Sequence, residues 1–397
     1  MLTSASPCPV CASAKITPIL EIPPVPVDTC RMWTSQAGAR SAQKAPLILS
    51  FCSDCRHIFN RTYVDELAEL ADYEEEYENS QMFSRRFQQY AEELADRLIS
   101  TYGLYGKHIV EIGGGRGDFL RIICDRGNNR GVSFGPSYKP EPSDKIPPNI
   151  RFVTDYYTSK YAKEPADLII CRHVLEHMAK PRELVTTVRE AVGDRSDLVV
   201  YFEVPNGEYI LRDQVCWEFI YQHCSYFTQR SLGTLFTECG FALRAVQASF
   251  GDQFLAIEAC ASSGGVTPAR IASVKCEPVA ALCEAIRPAF NASIARWTKY
   301  FAEGHLNKRH IIVWGAGAKT VTFLNIIDPA GALITHVVDV NPRKAGRFIG
   351  GSGQQIVDPS AVRELRPEVV ILMNPIYRNE IASALHAVGL HPELLVA

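Results

Sequence analysis

Two rhythms of hydrophobic and polar positions run along this chain, and the change from one to the other marks its parts. Short apolar runs bounded by glycine, proline or charge predict strands at 108–113 (HIVEIG), 129–134, 150–155 (IRFVTD), 166–172 (ADLIICR), 196–204 (SDLVVYFEV) and 252–260. Helical spacing falls between them, at 117–126, 180–192 and 229–239. Strands alternating with helices predict a mostly parallel sheet covered on both faces. Upstream, Phe83, Phe87, Tyr90, Leu94 and Leu98 recur at steps of three and four, the stripe of an amphipathic helix. Downstream, 276–304 reads as a connecting helix interrupted at Pro288. The strand-helix pattern then restarts with RHIIVWGAGAKTVTFLNII (309–327), ITHVVDV (334–340) and EVVILMNP (368–375).

The rhythm divides the chain into a loop-rich module at 1–64, a helical connecting segment at 65–105, an α/β unit at 106–262, a helical linker at 263–305 and a smaller α/β unit at 306–397. A length of 397 residues agrees, being too long for one ordinary core. Hydrophobic content of 47% and charged content of 21% describe a globular chain, and a net charge of −3 gives no electrostatic reason to expect nucleic acid or an anionic membrane as partner. The expected partner is a small molecule, with the chain a monomer or weak homo-oligomer. No apolar run is long enough for a transmembrane helix, and MLTSASPCPVC has no basic and apolar regions of a signal peptide. A cytoplasmic location is therefore expected, with the thirteen cysteines reduced or bound to metal.

Four cysteines change the picture. CPVC at 8–11 and CSDC at 52–55 each place two thiols on one tight turn, and two such turns complete a tetrahedron. Cys8, Cys11, Cys52 and Cys55 are thus the expected ligands of a structural Zn²⁺ ion, a closed soft site stapling a segment with little core. The gap between the pairs is longer than in most compact zinc ribbons, which leaves His57 and Cys30 as substitute ligands.

A second cluster is the glycine turn in IVEIGGGRGDFL (109–120). Gly113, Gly115 and Gly117 follow Glu111 on a strand and open a helix, so a ligand can lie against bare backbone N–H groups. The compressed spacing and the acid favour S-adenosylmethionine over NAD, because its methionine amine is cationic and it has no pyrophosphate. Asp155 ends the strand RFVTDYY, where a carboxylate can accept the adenine amino group, with Tyr156 beside it.

VEIGGGRGDFL, DLIICRHVLEHMAKP and YFEVPN resemble class I methyltransferases. The whole order, with the CxxC pairs, IYQHCSYFTQRSL, VWGAGAKTVTFLN and NPRKAGRFIGG, resembles the sugar C-methyltransferases of antibiotic deoxysugar pathways. That resemblance implies a Rossmann-like class I methyltransferase core of α/β class, a small N-terminal zinc-binding domain and a C-terminal Rossmann-like α/β domain helping to hold a nucleotide-linked keto sugar. It places the catalytic base at His223, with Tyr221 beside it, a second active-site histidine at His173, and an N-terminal active-site tyrosine at Tyr77, with Tyr73 competing. His is the side chain whose pKa suits the removal of an acidic C–H proton near neutrality, and Tyr or His donors suit an enolate oxygen.

Two positions depart from that pattern. Gln222 stands where the family has glutamate before the histidine, and Gly135 where it has an acid for the ribose hydroxyls, leaving Ser133 or Ser137 as weaker acceptors. Both departures favour a second reading, a weakly active or non-catalytic ligand-binding protein. An oxygen or nitrogen acceptor is a near variant of the first. An NAD(P)-dependent reductase is a third reading, with Asp339 its only obvious ribose partner, while Lys319 in the same turn could instead meet a substrate phosphate.

Overall fold

The computed structural model describes residues 7–64, 77–140, 145–262, 278–306 and 309–397, the last three residues of the long helix at 279–306 by backbone alone. Three sheets organise them. The first joins β1 (Ile16–Pro26), β2 (Lys44–Cys52) and β3 (Ile58–Asn60) in antiparallel order, and a two-residue strand at Ser225–Tyr226 pairs with β3. The proline-rich EIPPVPV stretch, expected as loop, is thus part of an 11-residue strand. It is an edge strand with two register shifts, and an edge tolerates residues that cannot donate to a ladder.

The central sheet contains β4 (His108–Ile112), β5 (Arg130–Phe134), β6 (Ile150–Val153), β7 (Leu168–Arg172) and β8 (Val199–Pro205), all parallel. Counting Ser225–Tyr226 as β9, an antiparallel hairpin of β10 (Phe241–Ser249) and β11 (Phe254–Ala261) completes it in the order β10-β11-β8-β7-β4-β5-β6. Its strands bury both faces. Ile109, Leu168, Ile170 and Tyr201 meet α1 (Arg85–Tyr102) and α2 (Asp118–Gly127), whereas Val110, Ile169, Cys171 and Phe202 meet α3 (Pro181–Val192) and α4 (Gln229–Glu238). The chain leaves β4 on one side for β5 and returns on the other for β7. In such a sheet ligands bind outside the carboxyl ends of the strands at that reversal, where the glycine turn lies.

The long helix α5 (Val279–Leu306) runs through Pro288 without a break, so the expected interruption is absent. Val279, Cys283, Ile286, Phe290, Trp297 and Phe301 are all buried and form one stripe on both sides of the proline. Burial of that stripe outweighs the lost N–H bond. The stripe shares a single apolar cluster with Leu20, Ile22 and Leu47 of the first sheet and with Ile311, Phe323 and Leu324 of the C-terminal unit. The N-terminal sheet is thus fused to the far end of the chain instead of standing alone.

The third sheet is parallel throughout: β12 (Ile311–Trp314), β13 (His336–Val338), β14 (Gln355–Val357), β15 (Val369–Leu372) and β16 (Glu393–Val396), in the order β14-β13-β12-β15-β16. It too reverses at its first strand, before α6 (Ala318–Ile327), and carries α7 (Arg378–Ala387). Glu380 of α7 accepts hydrogen bonds from Ser84 Oγ (2.7 Å) and Arg85 N (3.2 Å). A carboxylate at the amino end of α1 suits the helix dipole and docks the C-terminal unit over the central sheet.

Candidate active site

The four cysteines converge from two matching turns. In each, the residue after the second cysteine has left-handed backbone (Ala12 φ 57°, Arg56 φ 68°) and its N–H bonds back to the carbonyl of the first cysteine at 2.9 Å. The sulfurs of Cys8 and Cys55 lie 3.5 Å apart and those of Cys11 and Cys52 3.6 Å. The edges of a ZnS₄ tetrahedron with 2.3 Å bonds are about 3.8 Å, so the thiolates fit zinc. His57 is buried between Phe59 and Phe227, outside the cluster, and Cys30 lines a cavity elsewhere. Adding zinc to chelator-treated protein is expected to raise its stability by at least about 3 kcal/mol, read as a higher denaturation midpoint. An unchanged midpoint would contradict a stapling role.

At the glycine turn, Gly113 has φ 71°, and a Cβ there would lie 2.1 Å from Val174 Cγ2. At Gly114 a Cβ would lie 1.8 Å from Glu111 Oε2. The backbone therefore wraps directly over the Glu111 carboxylate. Glu111 is 3% exposed and accepts a hydrogen bond from Ser133 Oγ at 3.0 Å. Burial pushes its carboxyl up to about 7, with Ser133 opposing. Glu111, Gly113 and Gly115 line a cavity of about 630 Å³ with Tyr77, Tyr156 and His173. This carboxylate and open turn fit the cationic amino-acid end of S-adenosylmethionine.

Other expected cofactor residues fall differently. Gly117 caps α2 behind the cavity, against Phe152. Asp155 does not line the cavity. Its Oδ2 accepts from the Tyr161 hydroxyl (2.6 Å) and meets Lys160 (3.2 Å), because β6 ends before it and the chain turns outward. Tyr156, 64% exposed, stands at the rim instead. Ser133 is committed to Glu111, which leaves Ser137 in the wall as the hydroxyl nearest the Gly135 turn.

A second cavity of about 360 Å³ lies between the central and C-terminal units. The two cavities share Glu78, Asn79, Ser80, Gln81, His173 and His177 as wall, so they meet. Glu78, 7% exposed, ties this wall together: its carboxylate accepts from Asn341 Nδ2 (3.1 Å) and sits 3.6 Å from Arg116 of the glycine turn.

His173 occupies left-handed backbone (φ 55°), uncommon for any residue but glycine, and such positions cluster at functional sites. Its ring faces Glu203 (3.2 Å) and Glu176 (3.6 Å). Burial alone would lower its pKa, but these two carboxylates raise it to about 9, so His173 is an imidazolium at neutral pH. Glu203 is fully buried, pairs with Arg172 at 2.8 Å, and accepts hydrogen bonds from the Tyr90 and Tyr201 hydroxyls. Burial favours its neutral form, yet Arg172 and His173 prevail and hold it well below the usual carboxylate range.

His223 lines the second cavity and stacks edge-on with His177, centroids 5.0 Å apart. Burial drops its pKa to about 3, so it is uncharged with a free lone pair. Tyr221 is not in either wall. Its hydroxyl donates to the Thr62 carbonyl (3.1 Å) and receives the Val64 N–H (3.3 Å), a structural anchor and not a catalytic group. Gln222 also points away, its Oε1 accepting from Thr29 N (3.0 Å) and Oγ1 (2.9 Å), so it pins the N-terminal segment. The acid whose charge acts on His223 is Glu176. Tyr77 lines the first cavity and accepts from Asn79 Nδ2 (2.7 Å), and Tyr73 lies outside the described residues. Sequence reasoning passed over Glu176, Glu203, Arg172 and the role of His177. HVLEH and YFEV displayed three of them, but without the fold no signal joined them to His223.

In the C-terminal unit, Asp339 accepts from Ala316 N of the glycine turn (2.7 Å) and pairs with Lys344 (3.3 Å). Although it lines the second cavity, both its oxygens are thus engaged by the fold, which weighs against the reductase reading. Lys319 lies 2.6 Å from Glu218, both in the second cavity, and burial lowers its pKa to about 8.

Residues 81–246 match the family model described as a methyltransferase domain, and residues 289–391 the one described as a C-methyltransferase C-terminal domain. No curated protein sequence matches the chain. Among solved structures it is similar to the cyclopropane synthase MmaA2 of Mycobacterium tuberculosis (16% identity over 39% of this chain and 62% of that one, TM-score 0.32). It is also similar to the pyocyanin biosynthetic protein PhzM (17%, 44% and 55%, 0.34) and to the 1,6-didemethyltoxoflavin-N1-methyltransferase of Burkholderia thailandensis (13%, 53% and 98%, 0.36). The chain spans 62% and 55% of the first two. The core is thus a Rossmann-like class I methyltransferase fold of the S-adenosylmethionine-dependent kind, followed by a C-methyltransferase C-terminal domain. Among the described residues no helix is long and apolar enough to cross a membrane.

Proposed function

We propose that the chain methylates, from S-adenosylmethionine, a carbon beside the carbonyl of a nucleotide-linked sugar. The observation that carries this reading is the wall shared by the two cavities, which brings a cofactor slot and an acceptor cleft together at His173 and His177. Glu111, the backbone of 113–115, Tyr77 and Ser137 hold the cofactor, which supplies an electrophilic methyl group. The match of 289–391 to a C-methyltransferase C-terminal domain supports a carbon acceptor.

The chain's own groups do the rest. A C–H beside a carbonyl is acidic only while the enolate charge is stabilised, and the His173 imidazolium faces the place where that charge develops. His223, neutral and lined up in the acceptor cleft, takes the proton. Lys319 in the same cleft gives the nucleotide's phosphates a cation once Glu218 lets it go.

The test is methyl transfer to nucleotide-linked keto sugars in D₂O. The wild-type protein is expected to exchange the α-hydrogen and to methylate that carbon. His223→Ala is expected to lose at least about 100-fold in turnover while keeping S-adenosylmethionine affinity. Methyl transfer to oxygen or nitrogen, or a parallel loss of cofactor binding, would overturn the assignment.

A further inference from the structure

The acceptor cleft carries three metal-binding side chains from two separate segments. Glu176 and His177 sit on a short turn after β7, and His223 on the loop before Ser225–Tyr226. One ligand atom from each lies within 4.8 Å of the other two. Each of the three keeps one donor atom uncommitted. Glu176, 1% exposed, turns Oε1 toward His173, while its Oε2 has no hydrogen-bond partner. His223, 8% exposed, has a buried Nδ1 without a partner. His177 donates its Nδ1–H to the Gln222 carbonyl at 3.1 Å, which leaves Nε2 as the atom with the lone pair. A backbone carbonyl fixing the tautomer in this way is the usual support behind a metal-binding imidazole.

We propose that Glu176, His177 and His223 bind a divalent first-row transition-metal ion with positions open toward the acceptor's carbonyl oxygen and water. Two imidazoles and one carboxylate on one side of an ion leave such positions free. Bonds of about 2.1 Å place ligand atoms about 3–3.5 Å apart, so the three groups close on the ion by roughly an ångström, within reach of side-chain rotation. The site differs in kind from the four thiolates, which are soft and leave no position open.

The inference rests on the reading of this wall as the place of reaction, and it changes how the acceptor is acidified. The ion draws electron density from the carbonyl oxygen. Water on the ion would first lose a proton to solvent, and the resulting hydroxide would take the α-proton: the C–H bond breaks, its electron pair passes into the enolate, and the new O–H bond restores the water. His223 is then a ligand, and its role as base passes to that hydroxide.

Mn²⁺ ions discriminate the two sites because they suit nitrogen and oxygen over thiolate ligands. The full chain, with zinc on its cysteines, is titrated with Mn²⁺ and free ion is followed by electron paramagnetic resonance. One Mn²⁺ per chain is expected, with a dissociation constant below about 100 μM. Glu176→Gln and His177→Gln should each weaken it at least about tenfold with zinc content unchanged and the fold retained by circular dichroism, and His223→Asn covers a variant that fails to fold. No Mn²⁺ binding by the wild type up to about 1 mM, or wild-type affinity in the folded variants, overturns the site. S-adenosylmethionine binding is measured on the same samples. Its absence with Mn²⁺ bound would count against the proposed function and leave the ion site standing.

Discussion

Glu203→Gln is expected to destabilise the protein by about 3–5 kcal/mol, the cost of leaving buried charge without its counter-ion. Two cations depend on this one carboxylate, Arg172 at 2.8 Å and His173 at 3.2 Å, and Glu203 itself is fully buried. Denaturant unfolding at several pH values checks the claim and its sign. Glu203 is depressed in the folded state, so its contribution is complete above the ordinary glutamate range and is lost as pH falls below it. His173 is raised to about 9, so its contribution is complete below the ordinary histidine value and is lost as pH rises through about 9. Both slopes should flatten in the variant. A loss under about 1 kcal/mol, or unaltered slopes, would mean that the network is not the electrostatic unit described.

Gly114→Ala is expected to weaken S-adenosylmethionine binding by at least about 100-fold while the protein stays folded. The added Cβ would lie 1.8 Å from Glu111 Oε2, and 2.4 Å from both Glu111 Cδ and Ser133 Oγ. The Glu111 carboxylate, wedged between the turn and Ser133, has to leave its place. Gly115→Ala is the control, since nothing lies within 4 Å of a Cβ there, although its φ of 55° adds backbone strain. Equal losses in both variants would show that backbone conformation, and not the packing over Glu111, decides affinity.

What the sequence displayed and what it concealed follow one physical division. Continuous apolar runs such as LIICR and the Glu111 glycine turn carry their signal locally, so the central sheet and one end of the cofactor slot were legible. β1 was hidden because its prolines signal loop, and only its edge position makes them compatible with a strand. The unbroken α5 was hidden because Pro288 is unfavourable in a helix, while the burial that compensates is tertiary. Asp155 was expected to end a strand, but β6 stops at Val153, and where the carboxylate points depends on Tyr161 and Lys160 beyond it. The same holds at 222: the carboxylate near His223 is Glu176, brought there by the path of the chain and by no spacing in the sequence.

Calorimetric titration with S-adenosylmethionine at pH 6.0 and 7.5 tests the central claim most directly, that the Glu111 carboxylate under the glycine turn holds the cofactor's ammonium group. Because Glu111 has its pKa near 7 in the free protein, it is mostly neutral at the lower pH and mostly charged at the higher, while the ligand's amine is fully protonated at the lower pH and about two-thirds protonated at the higher. One site per chain is expected, about fivefold tighter at pH 7.5, and Glu111→Gln should bind weakly with that difference gone. No binding at millimolar ligand, or an affinity that ignores both pH and the Glu111 substitution, would contradict the account.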